Sequence, residues 1–269
     1  MRSIVKNALV PAAQDEACWE LFHENSKTET YARPPSNEFV RARMAEQALA
    51  LPYLGYPSTP LPPPATLAMP IGVAVRRRVT GRTMSSSPLS LEQISTLLFH
   101  AYGETRDNAD TPFPRPFRTV PSGGALYPLD LIMHSARIDG LAPGFHYYDP
   151  TNHSLRLVRR GDQTNKLSGC FVQRDLPLES SVQLFMTAFF ERSTFKYADR
   201  GYRFVLIEAG HVAQNLSLAA AAMGLAATCI GGYFDREIDA LLELDGVTRS
   251  TVYALAIGAS GTSEDWTHW

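Results

Sequence analysis

Residues 191–211 read ERSTFKYADRGYRFVLIEAGH. Within them, Phe204-Val205-Leu206-Ile207 is a short apolar run with the β-branched and aromatic content of a buried strand, and it predicts one. Lys196 and Tyr197 stand side by side ahead of that run, followed by Arg200, Gly201, Tyr202 and Arg203. Burial and cationic neighbours can move the proton chemistry of lysine and tyrosine toward neutral pH. Such a pair on the approach to a core strand is a candidate reaction centre. Charged residues also flank strands that carry no chemistry, so this window taken alone favours a solvated Lys196 and a packing Tyr197.

Downstream, the segment from Val212 to Phe234 carries no charge and is long enough to raise a membrane span. Gln214, Asn215, Gly224, Gly231 and Gly232 interrupt it, and alanine supplies most of its apolar character. The pattern favours a helix from His211 to Met223, then strand and loop over Ala226–Gly232. A helix over Asp235–Leu244 and a closing strand over Val252–Gly258 complete the chain.

Upstream of the apolar run Val182–Phe190 lies a polar, helix-prone stretch, 162–181. Before it, Leu129–Ile138, Gly144–Tyr148 and Ser154–Arg159 predict three strands, joined by turns at Asp139-Gly140 and DPTNH. This is a meander, with none of the strand–helix–strand alternation of a Rossmann unit. Ser90 and Gln93 form a capping box, and Leu91, Ile94, Leu97, Leu98 and Ala101 make the apolar stripe of a helix. A flexible loop is expected over 103–119.

The first 35 residues look like an arm, with amphipathic hints at Trp19, Leu21 and Phe22, and a helix follows from Glu38 to Ala50 capped by Ser36 or Asn37. Pro52, Pro57, Pro60, Pro62, Pro63, Pro64 and Pro70 make 52–70 too proline-rich for helix or central strand. That segment is either a stiff connector or a wrap laid over a partner subunit. The division expected is an arm, helix and wrap over 1–70 and one domain over 71–269.

With 269 residues, 45% hydrophobic and 19% charged, the chain can bury a sizeable core. A net charge of −2 gives no basic excess for tracking phosphates, so nucleic acid is not an expected partner. Cys18, Cys170 and Cys229 are far apart and form no CxxC pair, which excludes a metal knuckle and suits a reducing cytoplasm. Arg2 and Lys6 precede an apolar stretch too short for a signal peptide, which runs into Asp15 and Glu16. No membrane association is expected.

Three further stretches look like places where backbone meets a ligand. Arg78-Val79-Thr80-Gly81-Arg82 offers guanidiniums and a hydroxyl that fit a phosphate monoester, or a solvated cluster. Pro121-Ser122-Gly123-Gly124-Ala125 permits close backbone approach to a flat heterocycle, or is a plain turn. Gly231-Gly232 lies at a strand end. None is a Walker loop or a GxGxxG fingerprint. The seven histidines show no metal spacing and are expected to be structural.

Together, PSGGALYPLDL (121–131), GFHYYDP (144–150), FKYADRGYRFVLIEAGHVAQNLSLAAAAMGL (195–225) and GGYFD (231–235) resemble the SagB/McbC-type azoline dehydrogenases of the nitroreductase superfamily. HENSK (23–27) is similar to their amino-terminal signature, and the microcin B-type thiazole/oxazole synthetases hold the branch most alike. The resemblance spans about residues 70–260. It implies an α+β fold with a mainly antiparallel sheet flanked by helices, and a homodimer with FMN at its interface. By motif, Arg78, Thr80 and Arg82 would hold the phosphate and ribityl chain. Val79 and Thr80 depart from the family's Arg and Ser there, so position 79 could contribute only backbone. Ser122, Gly123, Gly124 and Ala125 would line the flavin ring, Gly231 and Gly232 would lie near its reactive nitrogen, and Gln214 and Asn215 would touch the cofactor. Lys196 and Tyr197 match the pair regarded as catalytic.

The implied activity is oxidation of peptide thiazolines or oxazolines to azoles in making a microcin-like peptide. Its implied partners are a cyclodehydratase, a leader-peptide-binding subunit and the precursor peptide. An NAD(P)H-dependent nitroreductase or flavin reductase is the enzyme alternative; a flavin-bearing scaffold subunit is the other.

Overall fold

The computed structural model describes residues 18–28, 30, 33–49, 52–108, 110 and 115–261. Residues 1–13, with the apolar stretch too short for a signal peptide, and Ala50, the expected end of the second helix, lie outside them. The described chain begins with helices α1 (Cys18–Asn25) and α2 (Asn37–Leu49), strand β1 (Ser58–Pro60) and helix α3 (Ile71–Arg77). Strand β2 (Met84–Ser85), helix α4 (Leu91–Tyr102) and the short strands β3 (Glu104–Arg106) and β4 (Phe117–Arg118) follow. The meander is β5 (Leu129–Ser135), β6 (Gly144–Asp149) and β7 (Ser154–Arg160). Helices α5 (Thr164–Cys170) and α6 (Asp175–Glu179) lead to β8 (Val182–Phe189), α7 (Glu191–Tyr197) and the long α8 (Asp199–Ala222). Strand β9 (Leu225–Ile230), helix α9 (Asp235–Leu241) and β10 (Arg249–Ser260) complete it.

One eight-stranded sheet runs in the order β1-β7-β6-β5-β8-β10-β2, with β9 paired to the other edge of β10. Every pairing in it is antiparallel. Helix α4 and the buried face of α8 cover one side, packing Ile94, Leu97, Leu98, Val205, Val212 and Leu216 against Leu131, Met133, Leu184 and Leu255. Phe171, Leu176 and Ile238 cover the other, against Ile132, Phe145 and Phe185.

The capping box of α4 forms as expected: Gln93 N donates to Ser90 Oγ at 3.2 Å, and Ser90 N donates to Gln93 Oε1 at 2.9 Å. Ser36 caps α2 by accepting from Phe39 N. Within the proline-rich segment only Ser58–Pro60 joins the sheet, at its edge on β7, where proline's missing N–H leaves no interior ladder bond unmade. Part of the loop expected over 103–119 is paired, β3 against β4.

The strand expected at Phe204–Ile207 is instead the second turn of α8, and that helix begins at Asp199 rather than His211. Val205 is buried while Leu206 and Ile207 are 42% and 54% exposed, a one-sided burial that no central strand shows. Val205, Ala209, Val212, Ala213 and Leu216 recur at three- and four-residue spacing, so the helical period wins over four adjacent apolar residues. The 24 residues of α8 put the charged RGYR turn and the uncharged alanine-rich half on one continuous rod.

Candidate active site

Strand directions place three segments at one end of the sheet. Leu129, the first residue of β5, pairs with Ala188 near the end of β8, and Phe189 pairs with Arg249, the first residue of β10. Ile230, the last residue of β9, pairs with Ala254. The PSGGA turn, the Lys196-Tyr197 pair and Gly231-Gly232 therefore all emerge at this end.

Lys196 and Tyr197 close α7, not the approach to a strand. The helix is fixed at its start by the buried Asp130–Arg192 ion pair, 2.8 Å, which ties it to β5. Arg43 of α2 pairs with Glu191. Ala198, with φ 46° and ψ −138°, then breaks the chain between α7 and α8. Gly201 lets the two helices meet, because a Cβ there would stand 2.9 Å from the backbone of Ser193 and Thr194. Tyr197 packs, as Phe195 does, against the cluster of Val40, Met44 and Leu126, and meets Phe204 edge-on at 5.0 Å.

The pair closes on the PSGGA turn of its own chain. Gly124 has φ +66°, a left-handed conformation that favours glycine. A Cβ on Gly124 would lie 2.7 Å from the Tyr197 hydroxyl and 2.8 Å from Lys196 Nζ, so both polar atoms occupy the space a side chain would fill. Phe204 sits beneath the neighbouring Gly123, 3.0 Å from the position of its Cβ. Ser122 Oγ accepts from Tyr127 N at 2.9 Å and holds the turn's exit to β5.

One helical turn beyond Phe204, Glu208 faces the same turn. It is 2% exposed; its Oε1 accepts from the Tyr102 hydroxyl at 2.6 Å, and among the described residues its Oε2 has no hydrogen-bond partner. Burial raises its carboxyl from 4.5 to about 7, against the opposing pull of the Ser122 and Tyr102 hydroxyls and the Arg118 guanidinium. The sequence singled out neither Glu208 nor Arg118. A lone acid in the run FVLIEAGHVA was the available signal for Glu208; nothing local marked Arg118.

The remaining residues fall elsewhere. Arg78, Thr80 and Arg82 follow α3 beside β9, where Gly81 N donates to Ala227 O and Thr228 Oγ1 donates to Gly81 O. Their side chains make no hydrogen bond among the described residues, and no room exists for a side chain at Gly81, whose Cβ would stand 2.7 Å from that of Ala226. Gly231 opens onto free space, while Gly232 O accepts from Val172 N. Gln214 is exposed, and Asn215 donates to His100 O at 3.2 Å. Gln214 and Asn215 of α8 stand apart, and the other expected cofactor residues form two groups, one along β9 and one around the β5 turn. Three strand spacings separate β5 from β9, about 14 Å.

The histidines behave structurally where buried. His134 pairs with Gln183 at 2.6 Å and His153 with Tyr148 at 3.0 Å. Among the described residues no group of metal-ligating side chains forms, the three cysteines are free, and no helix is long and apolar enough to cross a membrane.

The nitroreductase family model matches residues 75–259. This chain belongs to the nitroreductase family. Its α+β architecture, a large antiparallel sheet flanked by helices, is the nitroreductase-like fold, and membership makes it an oxidoreductase of a family that commonly binds flavin. The nitroreductase-family protein MJ1384 of Methanocaldococcus jannaschii is 36% identical over 172 residues, 64% of this chain and 83% of that one. The microcin B17-processing protein McbC of Escherichia coli is 30% identical over 186 residues, 66% of this chain and 64% of that one. The fold also matches a chain of the Escherichia coli microcin synthetase McbBCD complex with truncated pro-MccB17 bound. That match has a TM-score of 0.59 at 23% identity and covers 89% of this chain and 91% of that one.

Proposed function

We propose that this nitroreductase-family chain is an FMN-dependent azoline dehydrogenase, oxidising thiazolines or oxazolines of a ribosomally made peptide to thiazoles or oxazoles. The observation that carries this reading is the convergence of Lys196 Nζ and the Tyr197 hydroxyl at the open side of Gly124. Two proton-active groups held against a glycine turn suit proton abstraction from a flat ring laid on that turn. The relationship to McbC supports a peptide-processing role.

The residues present fit FMN. Three polar side chains beside β9 are free to meet a phosphate, Gly231 leaves a space a Cβ would fill, and the PSGGA turn presents backbone. Arg78, Thr80 and Arg82 would hold the phosphate, and Ser122, Gly123, Gly124 and Ala125 would border the ring. When bound, FMN supplies the two-electron acceptor. Because one chain keeps the two groups about three strand spacings apart, a second copy would complete each site, in a homodimer.

Aromatising an azoline requires removal of the proton on the ring carbon derived from Cα. Lys196 or Tyr197 takes it, and the other holds the charge that develops. Val40, Met44, Leu126 and Phe204 keep water from one side of Tyr197. The chain would act beside a cyclodehydratase and a leader-peptide-binding subunit, in the cytoplasm, where its cysteines stay reduced.

The test is mass spectrometry of a thiazoline peptide incubated with the flavin-loaded protein. Loss of two hydrogens per ring supports the proposal. An unchanged peptide, together with NADPH-driven nitroaromatic reduction, would instead assign a general nitroreductase.

A further inference from the structure

Apart from its pull on the Glu208 carboxyl, the Arg118 guanidinium has no part in the site described above. Its guanidinium stands in the corner between two perpendicular tyrosine rings, 4.3 Å from the Tyr102 centroid and 4.8 Å from that of Tyr127. Both rings are pinned, Tyr102 by its bond to Glu208 and Tyr127 by a 2.9 Å bond its hydroxyl accepts from Arg118 N. The stacking fixes the guanidinium plane while its N–H groups remain available at the rim. Among the described residues that side chain donates no hydrogen bond and joins no ion pair. A half-buried guanidinium with a fixed plane and unused donors is a preorganised half of a bidentate contact.

The surroundings set the chemistry of the other half. Two cavities, of about 640 and 590 Å³, abut at Arg118, Arg106 and Thr119, which line both. Among the described residues no aspartate or glutamate lines either one, although Glu104 and Glu208 lie near enough to favour the charged Arg118 guanidinium. The smaller reaches Ser122 and Gly124 of the turn that Lys196 and Tyr197 contact. The larger runs between Leu67 and Met69 of the proline-rich segment and Leu218 of α8. A small anion would fill only the corner at Arg118. Two cavities meeting at a cation, with apolar walls on one side and a glycine turn on the other, suit an extended chain with one negative charge along it.

We infer that Arg118, assisted by Arg106, binds the carboxylate of an aspartate or glutamate in a peptide that lies across both cavities. This rests on the peptide-processing reading and names a substrate determinant for it. The contact is a binding one; the proton chemistry stays with Lys196 and Tyr197.

A binding experiment that needs no turnover tests it. The full-length, flavin-loaded protein is titrated into a fluorescein-labelled decapeptide of Gly, Ser and Ala with one central Glu, and into its Gln twin, with fluorescence anisotropy as the readout. The wild type should bind the Glu peptide roughly 10- to 100-fold more tightly, the range for a hydrogen-bonded charge contact. Salt should weaken that preference. Arg118→Gln should abolish it while flavin absorbance is kept, with some loss of melting temperature from the lost stacking on Tyr102 and Tyr127. Arg106 is exposed and touches only the rim, its guanidinium over the Phe117 ring, so Arg106→Gln disturbs less packing and should reduce the preference several-fold. Equal binding of the two peptides, no measurable binding of either, or a preference surviving in both variants overturns the inference. Displacement of the Glu peptide by inorganic phosphate or free FMN also overturns it, by assigning Arg118 to the cofactor. Azoline oxidation is measured separately, so either idea can fail alone.

Discussion

The Tyr102 hydroxyl donates a 2.6 Å hydrogen bond to Oε1 of Glu208, and both side chains are almost fully buried beneath the PSGGA turn. Burial strips an ionised carboxylate there of water, and among the described residues its second oxygen has no hydrogen-bond partner. The folded protein therefore favours the protonated form, with the carboxyl raised from 4.5 to about 7.

For an acid raised in this way, the folded state binds more protons than the unfolded state between the two values. Stability then falls as pH rises from 4.5 to about 7 and changes no further above it. The full effect is on the order of 3 kcal/mol. Glu208→Gln keeps an acceptor for Tyr102 and removes the titration. Its melting temperature should exceed that of the wild type by several degrees at pH 8 and approach it at pH 4. An equal difference at both pH values would remove Glu208 from this role.

Gly124→Ala should be costly in two ways. The φ of +66° strains any L side chain by about 1 kcal/mol, and the new Cβ collides with the Tyr197 hydroxyl and Lys196 Nζ. The far ends of those side chains can move, so the fold should survive. Azoline oxidation should fall far more than stability, because the displaced atoms are the proposed proton acceptors. Thermal melting beside product analysis separates the two effects. Activity that falls only in proportion to stability would make the turn a packing feature.

The sequence made much of this end of the molecule legible, but in pieces. The capping box at Ser90, the meander from Leu129 to Arg159 and the uncharged helix-to-strand passage after Val212 are local patterns, and each forms much as read. Phe204–Ile207 misled because four adjacent apolar residues fit a strand and a helix alike. What decides is that Leu206 and Ile207 face outward, a tertiary fact. Glu208 and Arg118 were missed for a related reason. Their environments are made by Tyr102 of α4, Tyr127 after the turn and Ser122 within it, which only folding brings together.

The group beside β9 makes a separate prediction. Arg78→Ala should weaken flavin retention by roughly 1.5–3 kcal/mol, the range for a charge-assisted bond. Thr80→Ala should do so by less, since a neutral hydroxyl makes the weaker contact. Neither residue is in the core, so melting of the flavin-free protein should be unchanged. Denaturing the purified protein and identifying the released flavin checks identity and occupancy together. FAD, or full FMN occupancy in Arg78→Ala, would contradict the assignment.

Lys196 and Tyr197 share one space above Gly124, and that proximity makes the last expectation quantitative. If they act as one proton-transfer unit, Lys196→Ala and Tyr197→Phe should each lose roughly 10²–10⁴-fold in azoline oxidation while keeping flavin and assembly. The double variant should be little worse than the poorer single, because groups that act together are not additive. Tyr197→Phe preserves the ring that packs on Phe204, Val40 and Met44, so its loss reports the hydroxyl rather than the core. If both residues serve only packing, losses would instead track lower melting temperature and lower flavin content. Upstream ring formation should continue in either variant, so azoline-bearing peptide should accumulate rather than unmodified precursor. Complete azole formation by flavin-loaded Tyr197→Phe would leave Lys196 as the base, since its Nζ is the other polar atom at that position.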